Sequence, residues 1–526
     1  MIMKTQPTTP AGRAAWRSLL GLTAVCAAVT SASAAHYTHV KSYLVPTTTD
    51  YVIQPLLSVG DRVPNTSDPS KLYQMIGIPD GLGATKGQGG KTVLFMNHEL
   101  GNLVQSEPNV GGPLNRGAFV SRYILDKEGH VLSGERAYDT VHDEENGTVL
   151  PAPEVGNATP GLGRLCSASL SYKEPGFDRP IFFPGEESGP ASVFDPKGAL
   201  AWAVFDREIH SLVKMGRFAW ENTLVRPDAG EWTVVMGMED GPNTPDNQLY
   251  LYVGKKSRAR NASVLSRNGL DTGKLYTFVA NAGSPNNETN FTSGSITGRW
   301  VELSDQTHVS AADLEIESDA KGAFGFVRIE DGAWSKTDKN KFYFVTTGSG
   351  VSNALGAAYE VKFDKNNILG TTKISVIYNG DAVAAAGRDI GFAPDNIDVS
   401  KDFLMIQEDG TAQSRPEYTK RAREGSIWRH DLKNNFAAKR VAELNPPGTA
   451  IAVGQTNPPS VTAGIWESSG IIDTSDFFGN DTWLMVVQAH APTLAPVPNT
   501  VEDGQLLLMI PVKVKIGVGS DDDNDK

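Results

Sequence analysis

Apolar residues along this chain come in short runs, not in helical stripes. "TVLFMN", "FVSRYIL", "LAWAVF", "EWTVVMGM", "QLYLYVG", "KLYTFVA", "KFYFVTT", "AAYEVKF", "TKISVIY", "DFLMIQE", "GSIWRHDL" and "TWLMVVQ" recur with Gly, Asp, Asn or Pro between them. Most span four to seven residues and are rich in β-branched and aromatic types, which fit a pleated surface. Many short strands separated by turn signals predict a large all-β fold. "KFYFVTT" followed by "AAYEVKFD" reads as successive strands of a β-propeller blade. No strict repeat accompanies the pattern, and a multi-sheet sandwich is the alternative. "KEPGFDRP" and "NAGSPNNETNFTSGS" read as loop insertions.

No run after the first 35 residues approaches the roughly 18 apolar residues of a membrane span. The start is different. Lys4, Arg13 and Arg17 precede "SLLGLTAVCAAVTSASA", an apolar and small-residue segment ending in Ala-Ser-Ala-Ala. That order predicts a secretory signal peptide over residues 1–35, cleaved near Ala34 or Ala35, without a twin arginine. The mature protein is then expected to be secreted or periplasmic and free of the membrane. Cys26 leaves with the signal, so Cys166 is the one remaining thiol and no internal disulfide forms. Residues 36–515 read as a single domain and 516–526 as an acidic flexible tail.

The chain has 526 residues, with 48 Lys and Arg against 61 Asp and Glu, for a net charge of −13. This excess argues against a nucleic-acid partner and suits a protein that binds cations. "GATKGQGGKT" fails as a phosphate loop, because Thr85 stands where the first glycine is required. "NHELGN" lacks the second histidine of a zinc protease, and no Gly-x-Ser-x-Gly elbow occurs.

Acid and amide residues recur instead at strand ends. Asn97 and Glu99 follow "VLFM"; Glu186 and Glu187 follow "IFFPG"; Glu221 follows "MGRFAW"; Glu239 and Asp240 follow "TVVMGM". Arg328 and Glu330 follow "GFV", Asp395, Asn396 and Asp398 precede "VSKDFLMI", and Glu408 and Asp409 end it. Glu467 opens "ESSGII", and Gln488 and His490 close "TWLMVV". Strand ends meeting at one mouth would gather these oxygens. Ca²⁺ takes six to eight oxygen ligands and iron accepts carboxylate and imidazole. Arg328, two residues from Glu330, is suited to clamp a phosphate beside a metal-bound carboxylate.

With these motifs in order, from "GIPDGLGA" and "LFMNHEL" through "FFPGEES", "FVRIEDGAW" and "APDNIDVSKDFLMIQEDG" to "GIIDTSDFFGNDTWLMVVQAH", the chain resembles the PhoX-type alkaline phosphatases (the DUF839 family) over roughly residues 70 to 490. The resemblance implies a six-bladed β-propeller with loop insertions, a calcium and iron cluster, and phosphomonoester hydrolysis by a monomer. It implies Arg328 and Glu330 as catalytic residues, and Arg328 and His490 as substrate contacts. It implies Glu186, Glu187, Glu221, Glu330, Asp395, Asn396, Asp409 and Glu467 as metal ligands, and the strand-end pattern adds Asn97, Glu99 and Asp240 to them. The family carries Cys-Glu-Glu where this chain has Gly185-Glu186-Glu187, so an iron site here is expected to lack its thiolate. Two alternatives stand beside the phosphatase. One is a calcium-dependent propeller esterase or lactonase using Glu221, Asn396 and Asp398. The other is a secreted propeller with structural calcium and no activity.

Overall fold

The computed structural model describes residues 38–445, 463–490 and 499–512. The expected signal peptide, with Cys26, and the expected acidic tail lie outside these residues. The described residues belong to one compact unit. No helix among the described residues is long and apolar enough to cross a membrane.

The predicted runs are strands: Thr92–His98, Phe119–Leu125, Lys341–Thr346, Phe403–Glu408 and Trp483–Ala489 among them. Many are buried on both faces, as in Lys341–Thr346, because sheets pack on either side. This is why their sequences are continuously apolar and do not alternate.

Six strands hold the centre: β1 (Pro79–Lys86), β2 (Leu165–Ser171), β3 (Trp220–Val225), β4 (Ile329–Trp334), β5 (Pro394–Val399) and β6 (Glu467–Asp473). Each is the last strand of an arrangement that pairs antiparallel at the centre and continues outward. β1 leads to Thr92–His98, and β2 leads to Ile181–Glu186. β3 and β4 are the two ends of a nine-stranded sheet, joined at its far side by Ser295–Glu302 and Thr372–Asn379. Each of the six packs beside the next, and β6 returns to β1, so the six close into a ring. The early strand Tyr51–Ser58 pairs with Asp503–Pro511 in the β6 sheet. An early strand and the last described strand thus share one sheet.

Apolar side chains fill the wedges between sheets. Phe95 stacks on Phe182 at 5.3 Å, and Phe326 meets Phe344 edge-on at 5.2 Å. Trp202, Trp220 and Trp483 are fully buried. Each such ring contributes roughly 1.5–3 kcal/mol of transfer free energy. This burial fixes the sheets, and the sheets fix where the six strand starts meet.

Candidate metal centre

All six central strands share one irregularity. Near its start, each carries one more residue than its partner strand. In β1, Pro79 faces His98 and the next paired residue, Leu82, faces Met96. The slip recurs between Leu165 and Ala168, Trp220 and Thr223, Ile329 and Gly332, Pro394 and Ile397, and Ser469 and Ile471. Such bulges re-aim side chains. The residues skipped in β1 to β5 begin with Asp80, Cys166, Glu221, Glu330 and Asp395. Four of these strands are preceded by a non-glycine residue in the left-handed region: Ile78 at φ 50°, Arg164 at 46°, Arg328 at 56° and Ala393 at 48°. That conformation costs of order 1 kcal/mol or more and persists only where the surroundings impose it.

Four of these side chains, Cys166, Glu221, Glu330 and Asp395, line a cavity of about 330 Å³. Its wall holds nine carboxylates, on Glu99, Glu187, Glu221, Asp240, Glu330, Asp395, Asp409, Glu467 and Glu502. Facing them are three basic side chains, Arg164, Arg328 and His490, and the Cys166 thiol. Arg164 pairs with Glu99 at 2.6 Å and Glu187 at 2.7 Å. Arg328 reaches Asp240 through Nε at 3.2 Å and Nη2 at 3.0 Å, and Glu330 at 2.9 Å. Its Nη1 stands 3.8 Å from Asp409. His490 lies between Glu502 at 2.6 Å and Glu467 at 3.4 Å.

The acids outnumber their partners, and their proton affinities respond. Burial raises Glu221 to about 8, with the Asp240 and Asp331 carboxylates adding to it. Burial also lifts Glu187, Glu330 and Asp395 well above the usual range, with neighbouring carboxylates contributing. Burial raises Asp409 to about 6. Glu467 moves down: burial opposes its charge, but His490 outweighs burial. Burial likewise opposes charge on His490, yet Glu467 and Glu502 raise it to about 10.

This donor set fits cations. Cys166 with Glu187 and Glu221, Asp80 with Glu99 and Cys166, and Glu221 with Glu330 and Asp395 each offer ligand atoms within 4.8 Å of one another. Oδ1 of Asp80 and Oε2 of Glu221 are buried without a hydrogen-bond partner. Carboxylates this close must bind cations or take up protons. The oxygens suit hard cations, and the thiol adds a ligand for a transition metal.

Ten residues singled out from the sequence line the cavity: Arg328, Glu330, Glu187, Glu221, Asp395, Asp409, Glu467, Glu99, Asp240 and His490. Three do not. Glu186 points away, accepting from the backbone N–H of Gly163, Phe194 and Leu200 and from Trp202 Nε1. Asn97 turns its amide to the Cys166 carbonyl at 2.7 Å. Asn396 is held between Ser167 at 2.6 Å and Ser469 at 3.0 Å. Successive strand residues face opposite sides, so the adjacent pairs Glu186-Glu187 and Asp395-Asn396 divide.

The expected absence of a thiol is also corrected. Cys166 reaches the cavity from β2, while a Cβ at Gly185 would lie 2.6 Å from Trp220 Cβ. Position 185 therefore has no room for a cysteine side chain. Gln488, read from the sequence as a strand-end amide, also lines the cavity, whereas Arg164, Cys166, Asp80 and Glu502 were not among the predicted site residues. Arg164 and Cys166 repeat the Arg-x-ligand spacing of Arg328 and Glu330, a signal available in the sequence.

Fold and cavity together define a β-protein with a buried, carboxylate-rich candidate metal centre. A family profile described as Alkaline phosphatase PhoX matches residues 205–450, and the resemblance read from the sequence to the PhoX-type alkaline phosphatase family is borne out. Among solved structures, Pseudomonas fluorescens PhoX, in complex with vanadate, a transition state analogue, is similar at a TM-score of 0.61 and 15% identity. The alignment covers 90% of this chain and 98% of that one. Chaetomium thermophilum Sqt1, bound to the N-terminus of the ribosomal protein L10, aligns at a TM-score of 0.35 and 10% identity over 83% of this chain and 97% of that one, too distant to carry an argument. No curated protein matches the chain.

Proposed function

We propose that this chain is a metal-dependent phosphomonoesterase acting outside the cytoplasm. The observation that carries the reading is the cavity: nine carboxylates and a thiol around three basic side chains. The phosphatase family match and the likeness to a PhoX that binds vanadate support the reaction class. In this reading each central strand begins one blade of a propeller, with two blades joined in the nine-stranded sheet, an arrangement supported by the closed ring of central strands. The basic and apolar start of the chain supports export, and the substrate is a small phosphoester taken up by a monomer.

Glu99, Glu187, Glu221, Glu330, Asp395, Asp409 and Glu467 would hold calcium ions, with Cys166, Glu187 and Glu221 furnishing a place for iron. Metals held there would supply charge neutralisation of the phosphoryl group and an activated oxygen nucleophile. The residues themselves supply the rest. Asp240 and Glu330 fix the Arg328 guanidinium, and its more loosely engaged Nη1 is free to meet a phosphoryl oxygen. Arg164, half-exposed at the rim, attracts the anion. His490, held positive between Glu467 and Glu502, favours the phosphoryl anion by its charge.

The esterase or lactonase reading needs Glu221, Asn396 and Asp398 together. Asn396 is bonded at both ends, and Asp398 accepts from the Asp473 backbone at 2.7 Å, away from the cavity. The test is elemental analysis of the purified protein with hydrolysis of p-nitrophenyl phosphate in calcium. We expect bound metal, turnover by the wild type, and none by Glu330→Ala. Unchanged turnover in that variant refutes the assignment. Metal without turnover on any phosphoester favours a structural role.

A further inference from the structure

A chain of hydrogen bonds crosses the ring of central strands and ends on one of the candidate ligands. Ser469 Oγ on β6 donates to Asn396 Oδ1 on β5 at 3.0 Å. The Asn396 amide nitrogen donates at 2.6 Å to Ser167 Oγ on β2, which stands opposite β5 in the ring. Ser167 Oγ donates in turn to Glu221 Oε1 on β3 at 2.5 Å. All four side chains are buried, and of the four only Glu221 lines the cavity.

A serine hydroxyl carries one proton and two lone pairs. Asn396 donates to a lone pair of Ser167, so the Ser167 proton is committed to Glu221. That caps Oε1 of Glu221 and leaves Oε2, which is buried without a hydrogen-bond partner. Glu221 is also the carboxylate shared by two of the candidate cation groups, one with Cys166 and Glu187 and one with Glu330 and Asp395. A carboxylate pinned at one oxygen presents the other in a fixed direction. Cys166 and Ser167 are the two residues skipped in the β2 bulge. One irregularity therefore supplies both a ligand and the donor that aims a ligand on the next strand. Loss of such a partner behind a metal ligand typically weakens metal binding about 10–100-fold.

We propose that Ser167 is a positioning residue of the metal centre: it turns Glu221 Oε2 toward the cations, and Asn396 fixes the direction of the Ser167 proton. The proposal rests on the metal centre of the proposed function and not on the reaction there. The test measures the calcium and iron retained by the purified full-length holoprotein against graded EDTA, with circular dichroism to show that each variant folds. Ser167→Ala should release metal at a chelator concentration about tenfold or more below that of wild type. Ser167→Thr, which keeps the hydroxyl, should retain metal as wild type does. Asn396→Asp separates aim from charge. Its new carboxylate takes the Ser167 proton from Glu221, so metal should be held more weakly although a negative charge has been added. Metal held as tightly as in wild type, or more tightly, in Asn396→Asp overturns the proposal. So does equal loss in Ser167→Thr and Ser167→Ala, which assigns the effect to packing. A wild type without metal overturns the metal centre and this proposal together, whereas equal chelator profiles in a metal-loaded wild type and its variants overturn this proposal alone.

Discussion

The Glu186-Glu187 pair makes the sharpest test, because the two side chains face opposite ways and should fail in opposite ways. Glu186 is buried and accepts from three backbone N–H groups at 2.8–3.4 Å and from the Trp202 indole at 3.2 Å. Truncation to alanine strands four buried donors. Each unsatisfied donor costs about 1–3 kcal/mol, and relaxation or a water recovers part of that, so the expected loss is about 4 kcal/mol. Glu187 faces Arg164 and a crowd of like charges. Removing it relieves repulsion when no metal is bound and removes a ligand when metal is present. The assay is thermal unfolding of both variants in chelator and in calcium, with metal content measured on each. Glu186→Ala should unfold earlier than wild type in both buffers. Glu187→Ala should match or exceed wild type in chelator, and should lose metal and the calcium-dependent stabilisation. A Glu186→Ala protein as stable as wild type refutes the assignment of Glu186. A Glu187→Ala protein with a full metal complement refutes that of Glu187.

Gly185→Cys should not create a metal ligand, because its Cβ would strike Trp220; lower stability with unchanged iron content is the expected outcome. Arg328→Lys should raise KM for p-nitrophenyl phosphate about tenfold or more, since a lysine cannot hold Asp240 and Glu330 while meeting a phosphoryl oxygen. Chelation should lower the melting temperature at pH 8 more than at pH 5, where protons can neutralise part of the acid cluster, and calcium should reverse it. His430, packed against Tyr378 at 5.5 Å, is pushed by burial down to about 4 from an ordinary value near 6.5. The unfolded chain takes that proton first, so stability present above pH 6.5 is lost as pH falls toward 4. The slope is at most 1.36 kcal/mol per pH unit for one proton. Urea unfolding across that range should be flatter in His430→Gln, and an unchanged slope excludes His430 as a source.

The strands were legible because sheets packed on both sides demand continuous apolar runs, and most of the acid positions were legible because turns follow those runs. What stayed hidden was the side each residue faces. Pro79-Asp80-Gly81, Leu165-Cys166-Ser167, Trp220-Glu221-Asn222, Ile329-Glu330-Asp331 and Pro394-Asp395-Asn396 occupy equivalent bulges. Each reads apolar, then ligand-capable, then small or polar. Insertions of unequal length separate them, so no period marks the repeat. A lone cysteine among small residues gave Cys166 no prominence without it. The bulge also explains Asn396: the third member of the triplet turns from the cavity and, where it is polar, ties neighbouring strands together, as Asn222 does to Asp331 at 2.6 Å.

The same equivalence gives the insertion "NAGSPNNETNFTSGS" a structural purpose. In three of the sheets a glutamate sits opposite the first residue of the central strand: Glu186, Glu239 and Glu408. Glu186 accepts from Gly163 N and Glu408 from Phe392 N at 2.7 Å, each two residues ahead of its strand. These bonds hold the approach that forces the left-handed residue and aims the first ligand. In β4 the opposite position is Thr346, which has no carboxylate. Glu288 arrives from the insertion instead, accepting from Val327 N at 2.7 Å and from Thr346 Oγ1 at 2.5 Å. Val327 again stands two residues ahead of its strand, next to Arg328. The loop therefore replaces a missing strand-end acid, and Arg328 and Glu330 depend on it for their aim. Glu288→Gln, which keeps the size but gives up the charge that Val327, Thr346 and Tyr359 all address, should weaken phosphate ester turnover without any contact to the cavity. Full activity with unchanged KM in that variant would show that the approach to β4 holds without a carboxylate.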